Sequence, residues 1–171
     1  GNDRAVDRAS RRERAVNGAP GPANRFLAEH IDRLCSSHAR LLGRALIDTP
    51  LSGAARAEAV FNADFAVLSS GLEADPLFNY ANRTALDLFE LDWPRLLATP
   101  ARESAAAENQ AKREQLMQQV RARGFIEDYT GVRVAAGGRR FMIEGATVWN
   151  VVDDDDRYFG QAAMFGSWRD L

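Results

Sequence analysis

The chain has 171 residues, of which 46% are hydrophobic and 27% are charged, and its formal net charge is -2. This length suits one compact domain, and the near-neutral balance gives no general attraction for a nucleic-acid backbone. We therefore expect no nucleic-acid binding by the chain alone. No apolar run reaches the roughly 20 residues that cross a bilayer, and no signal-peptide pattern opens the chain, so we expect a cytoplasmic protein without a membrane anchor. The single cysteine, Cys35, excludes an intramolecular disulfide and a multi-cysteine zinc site.

The pattern along the chain divides it into three parts. Residues 1–23 have almost no large apolar side chains and end in a Gly/Pro cluster, which is typical of a flexible extension. Residues 24–62 form a helical segment, in which Asn24 is the expected N-cap of the first helix. The apolar stripe of that helix follows a 4-3-4-3 spacing and comprises Leu27, Ile31, Leu34, His38 and Leu41. Residues 63–171 are expected to form the core domain.

Strand and helix signals in the core domain indicate an α+β fold. Alternating apolar residues and turn signals predict strands at 65–69, 78–81, 125–135, 140–152 and 158–168. Short helices are predicted after the second strand, with Asn82 as the cap of the first, and a longer helix is predicted at 104–123. This order favours a five-stranded antiparallel sheet with these helices on one face. The N-terminal helix is then available to pack on the other face.

Three blocks of the sequence resemble one known family. The blocks are DPLFNYANRTALDLFE, GFIEDYTGVRVAAGGRRFMIEGATVWN and GQAAMF. Together they are similar to the MEKHLA domain, a PAS-like family that occurs alone in bacteria and at the C-terminus of plant homeodomain leucine-zipper transcription factors. The resemblance covers about residues 25–168. It implies a PAS-like fold and a sensory or regulatory module, here expected to be of the bacterial form, without an agreed ligand or chemistry.

The resemblance also places a candidate ligand pocket on the inner face of the sheet. Strict alternation along the strand at 140–152 puts Ile143 and Trp149 on one face and Val148 on the other. By similarity to flavin-binding PAS proteins, the inner face is assigned to the first set. The predicted pocket residues are Tyr80, Arg102, Tyr129, Ile143, Gly145, Thr147, Trp149, Gly160, Ala162 and Met164. The small residues among them either leave a cavity or let the helices approach closely.

The outer face is expected to be covered by the N-terminal helix, from the same chain or from a second subunit. We predict that this helix also takes part in a homodimer contact. The predicted interface residues are Leu27, Ile31, Leu34, His38, Leu41, Val148 and Phe165.

The titratable residues predict neither a catalytic site nor a metal site. His30, Cys35 and His38 share one helix, but they are too few for a metal site without ligands from elsewhere. The resemblance implies that flavin photochemistry needs a cysteine beside the cavity and that haem needs a histidine on the long helix. Neither residue stands at those positions, so both cofactors are disfavoured and the cofactor is left unknown.

The predicted function is therefore a non-catalytic sensory or regulatory module that binds a small molecule or a protein partner. Two alternatives stay open. One is a pure interaction or dimerisation module with a filled core. The other is a small enzyme that uses a carboxylate such as Glu144 or Asp128 in a PAS-like cavity.

Overall fold

The computed structural model describes residues 18–171, so residues 1–17 of the predicted extension lie outside the described part. The helices are α1 (Ala28–Leu42), α2 (Gly53–Phe61), α3 (Arg83–Phe89), α4 (Trp93–Leu97) and α5 (Gln110–Arg123). Short 3-10 helices occur at Pro22–Leu27, Ala101–Ser104 and Ala107–Asn109. The strands are β1 (Ala66–Ser70), β2 (Phe78–Ala81), β3 (Phe125–Val134), β4 (Arg140–Val152), β5 (Tyr158–Phe165) and β6 (Ser167–Asp170). Every helix in this part of the chain is too short or too polar to cross a membrane.

All six strands belong to one antiparallel sheet. Its order is β2-β1-β5-β4-β3, and β6 also pairs with β4. The sequence pattern predicts five strands because residues 158–168 read as a single strand. The structure breaks that segment at Gly166, and the two parts pair with successive stretches of the same neighbour, β4. The α+β prediction is confirmed, with this one extra strand.

Helix α1 covers one face of the sheet, as predicted. Its Ile31, Leu34 and His38 have no exposed surface. The Ser37 hydroxyl donates to the Val152 carbonyl oxygen at 2.7 Å and accepts from the Val152 amide at 2.9 Å, which fixes the helix to the end of β4. This cover comes from the same chain.

The N-cap prediction for Asn24 is wrong, because α1 begins only after Leu27. Asn24 lies in the preceding 3-10 helix, where its Oδ1 accepts from the Gly21 amide at 2.9 Å. A short polar side chain can bond locally to the backbone in a turn as well as at a helix start, so the cap signal alone did not locate the boundary.

Asn82 joins α2, β1 and α3 through buried hydrogen bonds. Its Oδ1 accepts from the Val67 amide at 3.0 Å and from the Ala85 amide at 3.1 Å, so the predicted cap of α3 is confirmed. Its Nδ2 donates to the Val60 carbonyl at 3.0 Å and the Phe65 carbonyl at 2.7 Å. The amide therefore satisfies four backbone groups that would otherwise be costly to bury.

Two bulges set the register of β3 against β4. Tyr129 pairs with Ala146, and Gly131 pairs with Ile143, so β4 has one extra residue in this stretch. Gly145 lies in that bulge with φ of 63°, a left-handed conformation that glycine adopts without steric cost. An extra residue reverses the alternation beyond it. This reversal decides which side chains of β4 face the candidate site.

Candidate ligand-binding cavity

A cavity of about 70 Å³ lies between the inner face of the sheet and the layer formed by α3, α5 and the 3-10 helix Ala101–Ser104. Most of its wall is apolar. These apolar residues include Leu68, Phe78, Phe89, Met117, Ile143, Ala146, Val148, Ala163 and Phe165. The polar lining residues are Ser70, Ser104, Arg113, Tyr129, Arg133 and Gln161, while Ser69 borders the cavity with its hydroxyl bonded to His30 of α1.

The cavity adjoins a wider cleft at the surface. This cleft has a volume of about 420 Å³ and lies between the β1–β2 loop and α5. The two spaces share wall residues, namely Ser70, Ala101, Arg113, Met117 and Gln161. The cleft therefore provides the mouth of the cavity.

Two arginines bring positive charge to the cavity. Arg133 of β3 is only 8% exposed, and its Nη2 donates to the Tyr129 hydroxyl at 3.2 Å. Arg113 reaches the same space from α5 and is half-buried. Burial, followed by the positive charge of Arg133, lowers the pKa of Arg113. Within residues 18–171, no carboxylate forms an ion pair with either arginine and none lines the cavity.

Amide side chains on the inner face hold α5 against the sheet. Gln161 Nε2 of β5 donates to the Met117 carbonyl at 3.1 Å. Asn150 Nδ2 of β4 donates to the Val120 carbonyl at 3.0 Å. Both bonds attach the helix that carries Arg113 to the strands that form the floor of the cavity.

The structure brings only some of the predicted pocket residues to the cavity. Tyr129 and Ile143 line it, and Ala162 borders it from a position in β5 that pairs with Trp149. Arg102 lies at the mouth, where its Nε donates to both oxygens of Asp75 at 3.1 Å.

The predicted inner position is wrong for Tyr80, Thr147, Trp149 and Met164. The ring centroids of Trp149 and of His38 in α1 are 4.8 Å apart. Those of Tyr80 and of His30 in the same helix are 5.7 Å apart. Thr147 and Met164 pair with each other on that side of the sheet. For Thr147, Trp149 and Met164 the bulge at Gly145 is the reason, because strict alternation ignores the residue that it adds and β5 pairs with β4 beyond it.

The two predicted pocket glycines have other roles. Gly145 is exposed in its bulge. Gly160 lies so close to β1 that a Cβ there would collide with the Ser70 carbonyl oxygen. These glycines therefore allow a bulge and a close strand approach, and they do not open the cavity.

The same reversal moves two predicted interface residues. Val148 and Phe165 line the cavity, and the Phe165 ring lies 6.5 Å from Phe89 of α3. Their prediction as part of the surface covered by the N-terminal helix is wrong. The rest of that set lies on α1 or just before it: Ile31, Leu34 and His38 are buried within the chain, while Leu27 and Leu41 are partly exposed.

The remaining chemically reactive residues lie away from the cavity or have structural partners. His30 Nε2 is 2.9 Å from Ser69 Oγ, which in turn donates to Asn79 Oδ1 at 2.5 Å. Burial, with the positive charge of Arg33, lowers the pKa of His30 to about 4. In the described part of the chain, no three histidine, cysteine or acidic side chains are grouped to hold a metal ion.

The two carboxylates considered for an enzyme also lie outside the cavity. Glu144 accepts a bond from Arg169 Nε at 2.7 Å on the surface. Asp128 is exposed in the β3 bulge, where its φ is 54°.

The predicted site residues do not include Arg113, Arg133 or Gln161. Arg113 stands four residues before Met117 and seven before Val120, a spacing that places it on the apolar side of α5. A cation on the buried side of a helix was the available signal. Arg133 carries a similar signal, since it stands two residues from Gly131 and four from the buried Tyr129 in the same strand.

Comparison with known proteins agrees with this architecture. The family profile of the MEKHLA domain matches residues 28–170, from the start of α1 to the end of β6. The chain belongs to the MEKHLA domain family. The homeobox-leucine zipper protein ATHB-14 of Arabidopsis thaliana is 32% identical to it over 131 residues, which are 71% of this chain and 14% of that protein. HOX32 of Oryza sativa subsp. indica is 30% identical over 110 residues, or 60% of this chain and 12% of that protein. This MEKHLA domain thus corresponds to a small part of each plant relative.

Solved structures place the MEKHLA domain in the PAS fold. A PAS domain from Colwellia psychrerythraea superposes with a TM-score of 0.57 at 14% identity, over 68% of this chain and 94% of that domain. An RNA-binding light-oxygen-voltage receptor gives a TM-score of 0.57 at 17% identity, over 73% of this chain and 37% of the receptor. At these identities the likeness shows the fold alone.

Proposed function

We propose that this MEKHLA domain is a non-catalytic sensory or regulatory module that binds a small molecule in the inner-face cavity. The cavity itself carries the proposal. It combines apolar walls with a few convergent polar groups, which is the usual composition of a small-molecule site. The adjoining cleft supplies a route from solvent. The carboxylates considered for acid-base chemistry lie elsewhere, which supports a role in binding.

The sheet supplies a route from the cavity to α1. Val148 lines the cavity, and Trp149, the next residue of β4, contacts His38 of α1 on the other face. In β5, Gln161 lines the cavity, while the centroid of the Phe159 ring lies 3.8 Å from Cζ of Arg33 in α1. A ligand that shifts either strand would therefore change how α1 packs on the sheet.

The predicted homodimer contact stays a prediction, as do the bacterial origin and the cytoplasmic location. Most of the apolar stripe of α1 is buried within the chain. A second subunit would therefore meet the outer side of α1, at partly exposed residues such as Leu27 and Leu41.

Native mass spectrometry of the freshly purified full chain tests ligand binding. We expect the wild-type protein to retain a small molecule and Ala163→Leu, which adds volume at the cavity wall, to lose it. Ala111→Leu makes the same change at an exposed position of α5 and should retain it. No added mass in repeated wild-type preparations would favour the filled interaction module. Retention by Ala163→Leu would show that the ligand lies elsewhere.

A further inference from the structure

The cavity holds two positive charges that the described part of the chain does not neutralise. Arg133 is almost fully buried and donates only to neutral oxygens, the Tyr129 hydroxyl and the Val132 carbonyl. Arg113 lines the same cavity from α5. Buried charges without partners are unfavourable, and two of like sign raise the cost further.

The acidic groups that influence Arg113 line the outer cleft, and within residues 18–171 they form no ion pair with Arg113 or Arg133. Asp75 lines the outer cleft and is already bonded to Arg102. Glu114 also lines that cleft and is exposed. Both raise the pKa of Arg113 only as lesser influences, after the opposing effects of burial and Arg133. The part of the cavity beside Arg113 and Arg133 is therefore electropositive.

We propose that this cavity takes a small organic carboxylate, with its anionic end on Arg113 and Arg133 and its apolar end against the surrounding walls. Guanidinium groups bind carboxylates through paired hydrogen bonds, which suits an anion at this end. The rest of the wall is largely apolar, and the Gln161 amide and the Ser104 hydroxyl already donate to backbone carbonyls. Beyond the hydroxyls of Ser70 and Tyr129, few further donors remain for a phosphate. This inference rests on the proposed ligand-binding function.

The volume limits the size of the carboxylate. The cavity of about 70 Å³ is about half the volume of the 150 Å³ engineered cavity that accommodates benzene. An occupant of roughly two to four carbon atoms is therefore expected, with any longer chain extending into the outer cleft.

Thermal unfolding of the full chain, freed of co-purified ligand, tests the charge requirement. The probes are sodium butyrate, sodium chloride at the same concentration, 1-butanol and inorganic phosphate. We expect butyrate alone to raise the Tm, because only butyrate combines an anion with a short apolar tail. An equal response to 1-butanol would overturn the carboxylate assignment and leave the cavity as a small-molecule site. A larger response to phosphate, or no response to butyrate, would overturn it as well.

Substitutions of the two arginines give a second, independent readout. Arg113→Gln and Arg133→Gln should weaken butyrate binding by about tenfold or more, whereas Arg123→Gln, an exposed arginine of the same helix, should not. Arg113→Gln should also raise the Tm without butyrate, because it removes a repulsive charge. Since Arg113 is only half-buried, this variant keeps the test available if Arg133→Gln does not fold. Unchanged butyrate binding in Arg113→Gln would contradict the proposal, while retention in the mass-spectrometric experiment separately tests ligand binding.

Discussion

The two faces of the sheet are formed by the same strands but are packed differently. On the α1 face, Trp149, Tyr80 and His38 have no exposed surface and contact other rings. On the opposite face, the small side chains of Ala146 and Ala163 help to form a cavity that also receives two arginines. A core that only had to be stable would gain from filling this space and pairing these charges. This difference supports the proposed ligand-binding role of the inner face, whereas the outer face is closely packed.

The α1 face also contains polar groups, but most are used to fix the helix. His30 bonds to Ser69 of β1, and Ser37 bonds to both backbone groups of Val152. Among the described residues, the buried Nε1 of Trp149 and the hydroxyl of Tyr80 have no hydrogen-bond partner. Burial of the large rings must outweigh that cost. This face therefore depends strongly on its aromatic packing.

Two neighbouring residues of β4 provide the largest test of this comparison. Trp149→Ala leaves a cavity in the packed α1 face and should lower the free energy of unfolding by about 3–5 kcal/mol. Val148→Ala removes two methyl groups beside an existing cavity and should cost only about 1.5 kcal/mol. Urea denaturation of both variants measures the difference. Equal losses would contradict the assignment of one residue to a packed face and the other to a cavity.

The pH dependence of stability tests the polar contact on the α1 face. Burial lowers the folded pKa of His30 to about 4, below its ordinary value of 6.5 in the unfolded chain. Below the latter value the unfolded chain binds more protons than the folded one, so stability falls as the pH drops towards 4. The free energy of unfolding that His30 contributes should fall by about 2 kcal/mol by pH 5.

The matched variant for this prediction is His30→Gln, which keeps a polar group near Ser69 but cannot titrate. Urea midpoints at pH 7 and pH 5 should differ less for this variant than for the wild type. His38 contributes in the same direction, since burial lowers its pKa too, so some acid sensitivity should persist. An unchanged pH dependence in His30→Gln would show that His30 is not responsible.

The sequence predicts the elements well because their signals are local. The cap at Asn82 and the buried Ile31, Leu34 and His38 of the α1 stripe depend on nearby residues, and both agree with the structure. The site is less predictable because it depends on strand register. One extra residue at Gly145 exchanged the faces of Val148 and Trp149, and the pairing of β5 with β4 carried the error into the next strand. Alternation cannot detect a bulge unless the glycine in it is recognised as a backbone requirement.

The smallest predicted effect concerns that glycine. No atom lies within 4 Å of a Cβ built on Gly145, so Gly145→Ala introduces no clash, but its φ of 63° is unfavourable for alanine. The substitution should therefore cost about 1 kcal/mol of unfolding free energy. Gly145→Asn should cost less, since asparagine tolerates the left-handed region better. If alanine is neutral or asparagine is the worse of the two, the left-handed bulge is wrong, and so is the division of β4 between cavity and α1.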